Sequence, residues 1–269
     1  MSEGKALKSG LLEKFVPVLL VLSVALAFAV GVLWQKVSNL EGGKGKVAGT
    51  EATASGQAKA KVSLETIKSL FDKDVIKLGD AKRKLLIVEV SDPSCPYCSI
   101  ASGKNPALNK QAGEQFKLVA DGGTYTAPVP EFKKLVDDGK ASFIYLYTSG
   151  HGNGEMGAKA LYCAFDEGKF WEAHDLLMGA QGYALLNETV KNDKAKSGEL
   201  AEFLKSATDA TKMKACLDSG KYDSRINSDI QLASSLGVTG TPGFFLNETP
   251  FYGAYGYKDM QSAVDAALK

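Results

Sequence analysis

Histidine and cysteine are both scarce in this chain of 269 residues, with two of the first and four of the second. That scarcity excludes most metal chemistry. A zinc site needs four ligands, usually two C-x-x-C pairs or cysteines combined with spaced histidines. Only one such pair exists, Cys95 and Cys98, and His151 and His174 lack ligand spacing. A strong charge of one sign is also missing. With 32 Lys+Arg against 31 Asp+Glu, no field points to nucleic acid as a partner. Internal repeats are absent. Gly152-Asn-Gly-Glu-Met-Gly157 has the G-x-G-x-x-G spacing of a dinucleotide site. The second strand ending in an acid is missing, because Lys169 to Met178 continues as helix, so nucleotide binding is set aside.

What the chain does have begins with one long apolar run. Phe15 to Trp34 is a stretch of 20 residues without a charge. As a helix it spans about 30 Å, the thickness of a bilayer's hydrocarbon core. Lys5, Lys8 and Lys14 precede it, so residues 1–14 are expected to stay in the cytoplasm, with 15–34 as a single transmembrane anchor. A cleaved signal peptide is the competing reading, since Ala27-Phe-Ala29 has a small-x-small spacing, but the run exceeds the usual h-region. Residues 35–61 are rich in Gly, Ala, Ser, Thr and Lys and lack aromatics from Ser38 on, the composition of a flexible linker. Beyond Trp34 the basic and acidic residues balance at 29 each.

From residue 62 the pattern is that of a folded domain. Leu64, Ile67, Leu70 and Phe71 fall at helical spacing. Leu85 to Val90 reads as a buried strand, and a helix follows from Pro96, since proline suits a first helical position. Lys117 to Ala120 reads as a short strand, Asp121-Gly-Gly123 as a turn, Thr124 to Thr126 as extended, and Pro130 to Asp138 as a helix. Phe143 to Tyr147 is a second buried strand. A helical block from about 157 to 236 follows, with breaks near Gly168, Gly182, Ser197 and Gly220. Phe244 to Leu246 returns to strand, Phe251-Tyr252 can pair with it, and Asp259 to Leu268 closes as an amphipathic helix. This is an α/β pattern with a helical insertion.

The most informative element is Cys95-Pro-Tyr-Cys98 at the end of the first strand. A sulfur there sits at a helix N-terminus, where unpaired N–H groups and the helix dipole favour negative charge. Thiolate is the reactive form, and cysteines so placed have pKa values lowered to about 3.5–7.5. Cys95 is therefore read as the nucleophile and Cys98 as the resolving thiol one turn away.

The chain from about residue 60 onward resembles the DsbA-like thiol–disulfide oxidoreductases of the thioredoxin superfamily. The resemblance rests on Cys95-Pro-Tyr-Cys98, on the run from Ala164 to Leu177 (Ala-Phe-Asp-Glu-Gly-Lys-Phe-Trp-Glu-Ala-His-Asp-Leu-Leu), on Gly240-Thr-Pro-Gly-Phe-Phe-Leu246, and on Gly253-Ala-Tyr255 before a final helix. It implies a thioredoxin-like fold interrupted by a helical domain. It further implies that Thr241-Pro242 forms a cis-proline loop facing the dithiol and, with Tyr97, binds substrate. Without it an X–Pro bond would be taken as trans. Glu89 stands where the family often has a buried acid, which would relay the proton of Cys98. The alternative for Glu89 is a solvent-facing strand position. For His174, Phe170 and Trp171, packing is the default reading, and His151 reads as a surface turn residue.

The resemblance implies reduced exported proteins as substrates, an integral-membrane DsbB- or VKOR-type oxidase as partner, and no cofactor. Asp92-Pro93 resembles the related disulfide isomerases as well as the oxidases, and Pro96-Tyr97 differs from the Pro-His pair of the most oxidising members, so isomerase or reductase duty stays open. A thioredoxin-like binding module without turnover is the remaining alternative. The interval from Cys98 to Phe143 is longer than in compact members and is read as an added element that either shapes access or only packs. Cys163 and Cys216, 53 positions apart, are expected to form a structural disulfide, with two buried free thiols as the alternative.

Overall fold

The computed structural model describes residues 62–269. The expected tail at 1–14, anchor at 15–34 and linker at 35–61 lie outside the described residues. Among the described residues, no helix is long and apolar enough to cross a membrane.

Helix α1 (Leu64–Ser69) is capped by Ser63, whose side chain accepts from the Thr66 N–H, and it runs on into a 3-10 turn at 70–72. Strand β1 (Ile76–Leu78), which has too few residues to stand out as an alternating pattern, leads to β2 (Leu85–Ser91). All seven residues of β2 are buried, because both faces of the central sheet are covered. Helix α2 (Pro96–Ser102) follows, then α3 (Pro106–Gln111) and α4 (Pro128–Asp137). The strand expected at 117–120 is instead built from two 3-10 turns, 114–116 and 119–121, joined to Tyr125 by a single bridge at Leu118. The Asp121-Gly-Gly reversal is too close to let that piece extend. Gly122 takes a left-handed conformation and donates back to Val119.

Strand β3 (Ala141–Tyr147) is again buried throughout. The helical block holds α5 (Glu155–Asp166), α6 (Phe170–Met178), α7 (Ala180–Ala184) continuing as a π-helical turn at 185–190, α8 (Ser197–Phe203), α9 (Ala210–Ser219) and α10 (Asp223–Ser235). The break expected at Gly182 falls at Gly179. Strands β4 (Gly243–Leu246) and β5 (Thr249–Tyr252) and helix α11 (Tyr257–Leu268) complete the chain.

The five strands lie in the order β1-β3-β2-β4-β5, with β2 and β3 parallel and every other pair antiparallel. Alternation divides the core. Leu86, Val88, Val90, Ile144, Leu146 and Phe245 pack against α1 and the C-terminal half of α10. Leu85, Ile87, Phe143, Tyr145 and Phe244 face α4, α5, α6 and α11. Each such side chain taken fully out of water contributes about 1.5–3 kcal/mol, which is what holds the insertion on the sheet. Asp229 adds a polar tie. Its carboxylate accepts from the Tyr147 N–H at the end of β3 (3.0 Å) and from the Tyr162 hydroxyl on α5 (2.8 Å). The disulfide Cys163–Cys216 links α5 to α9.

Candidate active site

The C-terminal end of β2 delivers the dithiol. Ser91 ends the strand, and the Cys95 N–H donates to the Asp92 carbonyl (2.9 Å), turning the chain into α2. Cys95 takes the N-cap position in an extended conformation with Pro96 as the first helical residue. Its side chain sits where N-cap oxygens usually accept orphan N–H groups, and the Cys98 and Tyr97 amides favour its thiolate form. Cys98 falls one turn on and is wholly enclosed, whereas Cys95 retains 4% exposure. Cys95 is thus the reachable sulfur of the two, at the floor of a cleft instead of standing free on the surface.

The electrostatics of the pair are asymmetric. The Cys95 thiol is lowered to about 6, first by the Cys98 thiol donating to it, then by Thr241 and the two helix amides, all against the opposing effect of burial. Cys98 moves the other way: burial pushes it up, and the adjacent Cys95 sulfur pushes it further. Near neutral pH the reduced site therefore holds one thiolate, on Cys95, and one proton, on Cys98.

Asp92 braces this arrangement. It is fully buried, and its carboxylate accepts from the Ser94 N–H (2.8 Å) and hydroxyl (2.7 Å) and from the Gly150 and His151 N–H groups (both 2.8 Å). Its own N–H donates to the Cys98 sulfur at 3.4 Å. The loop after β3 is thereby clamped over the dithiol, and two glycines permit the approach. A Cβ at Gly154 would stand 1.8 Å from the Asp92 carboxylate, and one at Gly150 1.8 Å from the Thr241 hydroxyl. Of the three glycines in the G-x-G-x-x-G spacing, Gly154 serves this packing, Gly157 lies close to Pro93 and Leu186, and Gly152 takes a positive φ of 96°. His151 contributes only its backbone, and its side chain is exposed.

The Thr241-Pro242 peptide bond is cis. The Thr241 carbonyl faces Cys95, 3.5 Å from its sulfur. Tyr97 is 49% exposed and packs edge-on against Phe116 (5.9 Å between centroids), which packs edge-on against Tyr125 (5.7 Å). Tyr125 is fixed in turn by its hydroxyl donating to the Ala254 carbonyl (3.2 Å). Tyr97, Phe116, Tyr125, Thr241, Tyr252 and Tyr255 line a groove of about 470 Å³. The long segment after Cys98 thus supplies one wall of the cleft.

Glu89 is buried under the motif, not solvent-facing. It shares a face of the sheet with Tyr145, its register partner on β3, and with Phe244 on β4. Burial raises its carboxyl, opposed by the charge of His174 and by Ser91. Sequence reasoning passed over several neighbours. Met178, at the end of α6, packs on both sulfurs, and its carbonyl accepts the Ser99 hydroxyl (2.7 Å). Ser91 adjoins Cys98, Tyr145 stands opposite Glu89, and the His174 ring packs edge-on against Tyr145. None carries a local signal, because each reaches the site from another element of the fold.

A redox-capable dithiol at a helix N-terminus, opposite a cis-proline loop and inside a 1-3-2-4-5 sheet, defines a thioredoxin-type protein. The thioredoxin family profile, described as Thioredoxin, matches residues 128–266, just over half of the chain, and the chain belongs to that family. It has the DsbA-like form of the fold. Oxidised BdbD from Bacillus subtilis is similar at 19% identity and a TM-score of 0.51, over 72% of this chain and 92% of that one. Alpha-DsbA1 from Wolbachia pipientis is similar at 20% identity and a TM-score of 0.53, over 72% and 91%. In sequence, 73% of the chain is 26% identical to the Na(+)/H(+) antiporter NhaA 3 of Salinispora tropica. The chain spans about a quarter of the length of that antiporter.

Proposed function

We propose that this protein is an extracytoplasmic thiol–disulfide oxidoreductase that introduces disulfides into exported proteins. The observation that carries the reading is the opposed behaviour of the two thiols, with Cys95 lowered to about 6 while Cys98 is raised. Stabilising the Cys95 thiolate stabilises the reduced form, which makes the disulfide form an oxidant. A substrate thiolate attacks the Cys95 sulfur of the Cys95–Cys98 disulfide. A substrate–Cys95 bond forms, and Cys98 leaves with the electron pair and takes up a proton. A second substrate thiolate then attacks the substrate sulfur of the mixed disulfide and expels Cys95 as its stabilised thiolate. The substrate has lost two electrons and the enzyme has gained them.

The Thr241-Pro242 loop aligns substrate backbone beside Cys95, and the aromatic groove next to it takes the flanking apolar residue. The uncharged stretch at 15–34 and the linker composition at 35–61 support a tether at the outer face of a bacterial cytoplasmic membrane. An integral-membrane DsbB- or VKOR-type oxidase would then return the dithiol to the disulfide. The transport named for the antiporter relatives is not carried over, since most of their length has no counterpart in this chain.

The test is refolding of a reduced, disulfide-requiring protein by the oxidised wild type and by Cys95→Ser. The wild type is expected to restore native disulfides and the variant to be inert. Equal yields would point to a binding module without turnover. A potential near about −270 mV in glutathione buffers would replace the oxidase direction by a reductase one.

A further inference from the structure

The groove beside the cis-proline loop has one feature that its aromatic walls do not explain. Three of the four exposed large apolar side chains among the described residues, Tyr97, Tyr252 and Tyr255, line it. Exposed rings gathered in one place mark a surface that something covers. Among the described residues lining the groove, Asp259 alone carries a charge, and it is exposed. A purely apolar occupant would take that carboxylate out of water without giving it a partner, which is costly.

The carboxylate stands at the end of a continuous row of rings. Thr241, whose carbonyl is 3.5 Å from the Cys95 sulfur, and Tyr97 of the motif itself form the end at the dithiol. From Tyr97 the row runs to Phe116 and on to Tyr125, in edge-on steps of 5.9 and 5.7 Å between centroids. Tyr125 and Asp259 meet across Gly256, where a Cβ would stand 3.5 Å from the ring and 3.3 Å from the carboxylate. The Gly256 N–H donates to one Asp259 oxygen at 3.1 Å, which fixes the side chain in the first turn of α11. Among the described residues Asp259 has no ion-pair partner, and Lys117, next to Phe116 in the chain, is engaged by Glu114 at 3.9 Å.

We propose that Asp259 is a specificity residue, and that the groove selects reduced polypeptide segments carrying a lysine or arginine a few residues from the reacting cysteine. The inference rests on the reading of Cys95–Cys98 as a redox centre acting on proteins, and it deepens that reading by naming the charge of the substrate. An apolar residue beside the cysteine lies against Tyr97 and Phe116. A long cationic side chain further along lays its methylene stem on Tyr125 and carries its charge to Asp259. The ring faces attract the same cation, so the walls and the carboxylate favour one occupant. The row of rings covers the length of about three or four extended residues at about 3.3 Å each, which sets where the cation falls. An acidic residue at that place meets a like charge and is rejected.

The test is the rate at which the oxidised full-length protein exchanges with peptides bearing one cysteine, a leucine beside it, and arginine, glutamine or glutamate about three residues away. One set places the variable residue before the cysteine and a second set places it after. Rates are divided by those of the same peptides with oxidised glutathione, which removes the effect of the charge on the peptide thiol itself. In one of the sets the arginine peptide is expected to react about three- to tenfold faster than the glutamate peptide, with glutamine between. The ratio is expected to shrink in about 1 M salt. Asp259→Asn, which keeps an acceptor for the Gly256 N–H, is expected to bring the arginine rate down to the glutamine rate, and Asp259→Glu to keep the preference. Asp259→Ser stands in should the asparagine variant fail to fold. Equal arginine and glutamate rates in both sets would overturn the proposal, as would a preference that survives in a folded Asp259→Asn. The same peptides with serine in place of cysteine, followed by NMR shifts of the groove tyrosines, report binding without exchange. If no peptide exchanges while the arginine one still binds through Asp259, it is the oxidoreductase reading that fails.

Discussion

Replacing Cys98 by alanine removes the largest stabiliser of the Cys95 thiolate, the donated thiol hydrogen, and leaves Thr241 and the backbone amides of residues 97 and 98 in place. The Cys95 midpoint, now about 6, is expected to rise by about one to two units. The obvious assay, alkylation rate at neutral pH, would nearly miss this. A thiol of pKa 6 is about nine-tenths ionised at neutral pH, and one of pKa 8 about one-tenth, a loss of about tenfold in thiolate. Intrinsic nucleophilicity rises with pKa at a slope of about 0.4–0.5, which returns about six- to tenfold over the same two units. The two effects almost cancel. The measurement that discriminates is the midpoint itself, from the far-ultraviolet absorbance of the thiolate followed against pH. Cys98→Ser keeps a hydroxyl donor at the same place and should shift less. A Cys98→Ala midpoint still at about 6 would refute the reasoning, placing thiolate stabilisation in the helix amides and the cis-proline loop.

Two further outcomes follow from the structure away from the sulfurs. Replacing both Cys163 and Cys216 by serine should lower stability by about 2–5 kcal/mol, at about 2–4 °C of Tm per kcal/mol, and leave the Cys95 midpoint unmoved. Calorimetry and the same absorbance titration check both halves. Asp229 is raised by burial from 3.8 to about 7. The folded state therefore binds more protons than the unfolded one between those values, and stability should fall as pH rises through that window. The total is about 4 kcal/mol at most. Asp229→Asn should flatten the fall, read from denaturant unfolding at a series of pH values, and an unchanged slope would show that another group is responsible.

Much of the site was legible along the chain because its chemistry is local. Pro96 after Cys95 states where a helix begins, and the apolar run before it states that a buried strand feeds that helix. The spacing of two between the cysteines places their sulfurs one turn apart. The helical block was legible from its periodicity, although its first helix starts at Glu155 and one break lies at Gly179 instead of Gly182. Strand β1 was missed because three residues cannot display a period. The piece at 117–120 was misread because apolar content alone does not separate a strand from paired 3-10 turns.

The sequence by itself determined that this chain carries a nucleophilic thiol at a helix start within an α/β frame, since dihedral preference and side-chain periodicity act over a few neighbouring residues. Only the tertiary structure decided which charges that thiol pair experiences. Asp92 reaches the loop after β3 at Gly150, Thr241 arrives at Cys95 across 146 residues of chain, and His174 meets Tyr145 beside Glu89 from a helix of the insertion. Desolvation and Coulomb interaction depend on distance in space and on what excludes water, and neither is ordered along the chain.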